Sequence, residues 1–255
     1  MRWLIMKLLW SLNFYSKARM LWVVYDRLHI FRRRRELNFF SQFIKKGDTC
    51  FDIGACFGEM SKIFLKLGAK KVVCVEPSNE CLQQLYKSFK NNTRVIIVPK
   101  GAAEKSGQLK LYTNKDEPAI ATMNDKWKRE LRFSNNFKWT KSYKVHVVTL
   151  DSLIQKYGLP TFCKIDVEGF EKPVLKGLRQ PIKYISFEFH KELLDDAYEN
   201  MKYLSSLGNV KFNCVLCDEW DLKFSKWITA DTLYKKLNSI DNQYLCGDIY
   251  AKYNF

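Results

Sequence analysis

No stretch of this sequence stays apolar for long. Residues 3–12 are broken by Lys7 and Ser11, and residues 20–25 follow a gap holding Lys17 and Arg19. Neither run reaches the roughly 18–20 residues of a membrane span. No small-residue cleavage site follows the first run, which speaks against a signal peptide. Glycine and proline are sparse, at 11 and 6 of 255 residues, and no repeat or low-complexity linker is visible. With 47% hydrophobic and 27% charged residues the chain is neither collagen-like nor disordered. Its length suits one large domain, or one domain plus an arm. The eight cysteines contain a single C-x-x-C, Cys214 and Cys217, without the second pair that a zinc site usually brings. If that segment is a strand, positions three apart face opposite sides, which disfavours a shared metal. A domain of this size needs no disulfide, so small buried thiols in a reducing compartment are the simpler reading.

Acidic residues are also short, 27 against 43 Lys and Arg, for a net charge of +16. The imbalance is concentrated at the start. Residues 1–46 hold eleven basic and two acidic residues, including the run Arg32, Arg33, Arg34 and Arg35. Such a surplus favours an anionic partner: nucleic acid, an anionic membrane surface or an anionic substrate. For this N-terminal arm, rich in aromatics, the favoured reading is a pair of helices packing on the domain with the arginines in solvent. A helix lying at an anionic membrane interface is the second reading, and nucleic-acid contact the third. The expected location is the cytoplasm, with peripheral membrane contact under the second reading.

From Gly47 onward the pattern alternates. Residues 49–54 read as a buried strand, 59–67 as a helix ended by Gly68, and 71–76 as a second strand. Ser78 suits the N-cap of a helix running to residue 91, and residues 94–98 read as a third strand. This βαβαβ succession predicts a parallel sheet with helices on both faces. Residues 108–113 read as a short strand. Residues 114–142 are polar and aperiodic, although they contain Trp127, Phe133, Phe137 and Trp139. A loop of that length inside a compact domain is usually functional or disordered. Further strands are predicted over 143–150, 161–167, 184–190, 210–217 and 247–253. Helices are predicted to start at Asp151, to span 170–178, to end at 207, and to lie near 229–239.

The first strand closes on Asp52 and turns through Gly54, Ala55, Cys56, Phe57 and Gly58. Glycines there let the chain bend and a ligand approach the backbone, and the next helix offers free N–H groups. The dinucleotide signature G-x-G-x-x-G is absent, because Cys56 stands at its second glycine. D-x-G-x-x-x-G instead resembles the first motif of S-adenosylmethionine-dependent methyltransferases. Glu76 closes the second strand about 20 residues beyond the glycine turn, well placed to accept both ribose hydroxyls of a nucleoside cofactor. Lys164, Asp166 and Glu168 share one face at period two, in a strand that the α/β pattern covers on both sides. Charged groups there need partners or a job. Glu188 and His190 repeat the pattern at the end of the next strand. A divalent metal on Asp166, Glu168 and Glu188 is the lesser alternative, and no metal is expected.

In this order, FDIGACFG, VEPSNECLQQL, VTLDSL, KIDVEGFEKPVLKG and SFEFH closely resemble the FkbM family of methyltransferases, over residues 47–253. The resemblance implies an α/β fold with a doubly wound, seven-stranded, mostly parallel Rossmann-like sheet whose last strand is antiparallel. Residues 1–46 are then the basic helical arm and 47–255 the methyltransferase domain. It further implies S-adenosyl-L-methionine as cofactor and O-methylation of a sugar, glycolipid or secondary metabolite. The family pattern commonly has Asn where Cys56 and Ser88 stand. On this reading Asp52, Gly54, Ala55, Gly58, Glu76, Gly101 and Ala102 form the cofactor site. Asp166, Glu168 and His190 are the catalytic candidates of the acceptor pocket, and His190 starts nearest the pKa useful to a base. Lys164 either holds the carboxylates ionised or simply pairs with one of them, and Asp166 is an alternative partner for the cofactor's ammonium group. The expected partner is a small-molecule or glycan substrate, and the oligomeric state is left open. The rivals are an RNA methyltransferase and a non-catalytic binding protein that keeps the fold. Against RNA, the charge surplus sits in the arm and no RNA-binding module is visible.

Overall fold

The computed structural model describes residues 30–125, 127, 138–217 and 219–254. Most of the basic arm, residues 1–29, lies outside the described residues, as do Phe133 and Phe137. In chain order the elements are α1 (Ile30–Phe40), β1 (Thr49–Ile53), α2 (Glu59–Lys66), β2 (Lys71–Val75), α3 (Asn79–Phe89), β3 (Val95–Val98), β4 (Gly101–Ala102) and β5 (Gly107–Thr113). Then come β6 (Lys141–Val148), α4 (Leu150–Tyr157), β7 (Phe162–Ile165), α5 (Glu171–Lys176), β8 (Tyr184–His190), α6 (Leu194–Ser206), β9 (Val210–Leu216), α7 (Ala230–Asn238) and β10 (Cys246–Tyr253). The main sheet has seven strands in the order β3-β2-β1-β7-β8-β10-β9, and β10 runs antiparallel to both its neighbours. This is the doubly wound sheet expected from the sequence. A second, three-stranded sheet (β4-β6-β5) fills the connection between β3 and α4.

The central strands are uninterrupted apolar runs because helices cover both faces. Every residue of β1 is buried, and four of the five in β2. On α3, Cys81, Leu82, Leu85 and Phe89 form the buried stripe. The strand order reverses between β1 and β7, so the crevice beyond their carboxyl ends is where such a sheet places a ligand.

Several local expectations shift. Helix α4 is capped by Thr149, whose side chain accepts the Ser152 N–H at 3.0 Å. Asp151 therefore sits inside the first turn, where its carboxylate accepts the Arg179 N–H at 2.9 Å. Ser78 does hold the N-cap position of α3, but its hydroxyl donates to the Glu80 carboxylate and accepts no helix N–H. Strand β7 stops at Ile165. Beyond it the chain turns through Glu168 and Gly169, both left-handed (φ 53° and 82°), so Glu168 does not share a strand face with Lys164.

The packed domain also begins upstream of Gly47. Phe39, Phe40, Phe43 and Ile44 are buried, in a cluster with Phe64, Phe162 and Tyr250. Phe43 stacks on Tyr250 at 5.1 Å and on Phe162 at 5.8 Å. Burial of such side chains contributes roughly 1.5–3 kcal/mol each. Part of the segment assigned to the arm is thus core. Arg34 and Arg35 stay exposed, and the Arg35–Asp221 pair at 3.4 Å is a solvated contact of little weight. Among the described residues no helix is long and apolar enough to cross a membrane.

Candidate functional site

The turn after β1 is built around a close backbone crossing. Gly54 has φ 81°, and a Cβ there would lie 1.8 Å from the carbonyl oxygen of Asp166. The Asp166 N–H donates to the Ile53 carbonyl at 2.9 Å, so the ends of β1 and β7 are locked together. A side chain at position 54 would push them apart. Asp52 sits beneath this turn, buried, and accepts the Ser61 hydroxyl at 2.5 Å. Burial pushes its pKa up to about 6, against the pull of Ser61 and Lys164.

Glu76 ends the second strand and is buried. One of its oxygens accepts the Cys56 N–H at 2.9 Å and the other the Ser78 N–H at 2.7 Å. Desolvation pushes its pKa up to about 7 in spite of these two donors. Around it lies a narrow cavity of about 40 Å³, lined by Gly54, Cys56, Glu76, Pro77, Cys81, Gly101, Ala102, Asp166 and Glu168 among others. Its roof comes from Leu111 and from residues 118–123, a part of the aperiodic middle segment. The roof is fastened to the rest of the site. The Thr122 hydroxyl donates to the Glu168 carbonyl at 2.8 Å, and the Asn124 amide to that of Gly169 at 2.6 Å. Trp139 donates to the Ile120 carbonyl at 2.9 Å. A larger hollow of about 740 Å³, between the end of β3 and α4, holds none of the residues that the sequence singled out. Size alone therefore does not locate the site. The convergence of Glu76, the Gly54 turn and the Asp166–Glu168 loop does.

Beside the cavity, acidic groups crowd around one buried lysine. Lys164 reaches Asp166 at 3.0 Å and Asp248 at 3.4 Å. These two carboxylates hold its pKa well above the usual lysine range, against desolvation. Desolvation, and then the charge of Glu188, raise Glu168 well above the ordinary carboxylate range. Glu171 is buried and accepts the Val167 and Gly169 N–H groups, each at 3.2 Å, which fixes the left-handed turn. Its pKa is pushed up to about 8 by desolvation and by Glu188. His190 is buried, with Nε2 3.3 Å from Glu188 Oε1 and its ring edge-on to Trp127 at 4.9 Å. Trp127 also fills the space beside Gly169, where a Cβ would lie 2.2 Å from the indole.

Of the residues read from the sequence, Gly54, Glu76, Gly101, Ala102, Asp166 and Glu168 line one cavity. Asp52, Ala55, Gly58 and His190 do not line it. Asp52 supports the turn through Ser61, and Gly58 takes the N-cap position of α2. His190 stands one strand further on, in β8. Sequence reasoning missed Asp248, Trp127, the roof, and the role of Glu171. Asp248 carried a signal, as an acid within a run that otherwise reads as a covered strand. Trp127 and the roof lie in the segment whose length already marked it as functional or disordered, but without a period nothing in it marked which residues close the site. Among the described residues no group of three His, Cys, Asp or Glu is placed to hold a metal ion.

The sequence profile of the "Methyltransferase FkbM domain" matches residues 52–211. No curated protein matches the chain. Among solved structures, an FkbM methyltransferase from Methylobacillus flagellatus KT is 17% identical with a TM-score of 0.48. The match covers 80% of this chain, which spans 43% of that structure's length. A precorrin-6y C5,15-methyltransferase from Geobacter metallireducens GS-15 is 10% identical (TM-score 0.47), with 86% and 87% of the two chains covered. SMU.1697c from Streptococcus mutans, in complex with SAH, is 12% identical (TM-score 0.42), with 85% and 94% covered. The profile spans well over half of the sequence and takes in both the Gly54 turn and the Asp166–Glu168 loop, so this chain belongs to the FkbM family of methyltransferases.

Proposed function

We propose that the protein transfers a methyl group from S-adenosylmethionine to a hydroxyl of a sugar, glycolipid or secondary metabolite. The observation that carries this reading is Glu76, a buried carboxylate at the rim of a strand-end cavity. Each of its oxygens already accepts one N–H and keeps a lone pair for a further donor, which matches the two adjacent hydroxyls of a ribose. Gly54 lines the cavity, so its backbone is within reach of the cofactor's methionyl end. Asp166 offers a charge for its ammonium group. The cofactor supplies, when bound, an electrophilic methyl group on a sulfonium centre. At about 40 Å³ the cavity has room for about one water. Residues 118–123 must therefore move outward to admit a ligand of nucleoside size.

What remains for the chain is to orient the acceptor and to take its proton. In-line approach makes positioning a large part of the rate. Glu168 lines the cavity, and desolvation and the charge of Glu188 raise its pKa well above the ordinary carboxylate range, the direction that makes a carboxylate a stronger base. His190, with Glu188 behind Nε2, is the second candidate, and Asp166 the third. The test is a transfer assay with methyl-labelled S-adenosylmethionine against sugars, glycolipids and RNA. Label is expected in the sugar or glycolipid pool. Label in RNA would replace the acceptor class. Calorimetric binding of S-adenosylhomocysteine with no label in any pool would leave a binding protein that keeps the fold.

A further inference from the structure

Two thiols face each other inside the candidate cofactor cavity. Cys56 Sγ and Cys81 Sγ are 3.7 Å apart, and both residues line the cavity together with Glu76. They come from separate elements. Cys56 belongs to the turn after β1 and Cys81 to the first turn of α3, 25 positions later in the chain. Cys56 adopts φ 47°, a left-handed conformation that a non-glycine residue takes at a cost. Its N–H is one of the two donors that hold Glu76. Cys81 lies against the roof, with its thiol 3.7 Å from the Pro118 carbonyl. Cys56 is thus tied through its backbone N–H to Glu76, and Cys81 through its thiol to the roof.

We propose that Cys56 and Cys81 form a thiol–disulfide modification site whose oxidation switches off cofactor binding. This rests on the cofactor reading above. A disulfide brings its sulfurs to about 2.05 Å, so each must move by roughly 0.8 Å from the reduced arrangement. Cys56 is held left-handed in a turn whose neighbour Gly54 is already pressed against Asp166, so closing the bond pulls on the Cys56 backbone. The Cys56 N–H then leaves Glu76, and the carboxylate loses the orientation that a ribose needs. The chemistry needs an oxidant, and a low-molecular-weight disulfide is sufficient. One protein thiolate attacks it and releases one small thiol. The second protein thiolate then attacks the mixed disulfide and releases the other, so two protein thiols and one small disulfide give one protein disulfide and two small thiols. In a reducing compartment the pair rests as thiols and the Cys56 N–H stays on Glu76. Linkage makes the effect reciprocal: a cofactor that binds the reduced form more tightly protects the pair from oxidation by the same factor.

A second thiol pair, Cys217 and Cys246, has its sulfurs 3.8 Å apart at the ends of β9 and β10, so the test is run in a Cys217→Ser/Cys246→Ser background. The full chain is oxidised with glutathione disulfide, with and without S-adenosylhomocysteine, and mapped by peptide mass spectrometry. Affinity for S-adenosylhomocysteine is measured by calorimetry before oxidation, after it, and after dithiothreitol. The expected result is a Cys56–Cys81 linkage, slower to form with ligand present, with at least tenfold weaker binding that dithiothreitol restores. A Cys81→Ser variant, compared with itself before and after oxidation, should show no such loss. Absence of the linkage in unliganded protein overturns the proposal, as does linked protein that binds as well as reduced protein. Reduced protein that fails to bind the ligand at all overturns the cofactor reading and the coupling with it, while the peptide map still decides whether the disulfide forms.

Discussion

Glu76 is the residue on which the cofactor reading turns, and its environment gives that reading a pH signature. Burial holds its pKa at about 7 in the free protein, so at pH 6 it is mostly neutral and at pH 8 mostly ionised. Ribose hydroxyls donate to the ionised form. Affinity for S-adenosylhomocysteine should therefore rise with pH through about 7, approaching tenfold per unit below that point and levelling above it. Calorimetry at pH 6 and pH 8 checks this, and Glu76→Gln should flatten the dependence. Glu76→Ala should weaken binding by about 1.5–3 kcal/mol, the range for a lost hydrogen bond to a charged group. Unchanged affinity in a folded variant would remove Glu76 from the site. Gly54→Ala tests the crossing beneath it. A Cβ 1.8 Å from the Asp166 carbonyl, in a left-handed residue, combines overpacking with backbone strain. A loss of about 2–4 kcal/mol in chemical denaturation is expected.

At the level of elements, the loop between β7 and α5 depends on Glu171 more than on the residues before it. Its carboxyl holds two N–H groups of a turn with two consecutive left-handed residues. Removing it in Glu171→Ala leaves buried donors unsatisfied, at a cost of about 1–3 kcal/mol. Glu171→Gln keeps the accepting oxygen and should be nearly neutral near pH 4.5, where the wild-type carboxyl is still protonated in the folded protein, and stabilising at higher pH. The pH dependence separates the two effects. The folded protein keeps this proton up to about pH 8, whereas the unfolded chain releases it near 4.5. Between those values unfolding releases a proton, so the contribution of Glu171 to stability falls as pH rises, by up to about 1.4 kcal/mol per unit. Denaturation curves of wild type and Glu171→Gln across pH 5–8 should diverge in that direction. The strand that leads here was legible in the sequence: its apolar residues, its acids and its place in the βα alternation marked its existence, while its pairing with β1 and β8 came from the structure. The turn was not, because period-two reasoning carried the strand on to Glu168, and nothing local marks Glu168 as left-handed. The roof was illegible for a different reason. Thr122, Asn124 and Trp127 contact the distant Glu168, Gly169 and His190, and a segment without internal period carries no trace of such contacts.

For the whole molecule, the uneven charge and the extended core place different demands on the N-terminal segment. Residues 1–29 hold five basic and one acidic residue, so a protein lacking them keeps +12 of its +16. Phe39, Phe40, Phe43 and Ile44 lie further on and are core. A cut at residue 46 would strip several large buried side chains from the cluster around Phe162 and Tyr250, and the resulting chain should fail to fold. A cut at residue 29 removes none of the described core, and S-adenosylhomocysteine affinity should stay within about twofold, since ΔΔG values of distant, independent sites add within about 0.3–0.5 kcal/mol. We propose that the removed segment, with Trp3, Trp10 and Trp22 among its basic residues, contributes contact with anionic membrane surfaces. Charge alone would give both proteins some binding to phosphatidylserine vesicles at low salt, because the truncated form remains basic. Raising the salt shortens the screening length to about 8 Å at 0.15 M and suppresses that non-specific part. The discriminating measurement is sedimentation with phosphatidylserine-containing vesicles at 0.15 M salt. The full chain should pellet with the vesicles and the protein lacking residues 1–29 should stay in solution. Equal partitioning of two folded proteins would assign these residues to packing against the domain and not to the membrane.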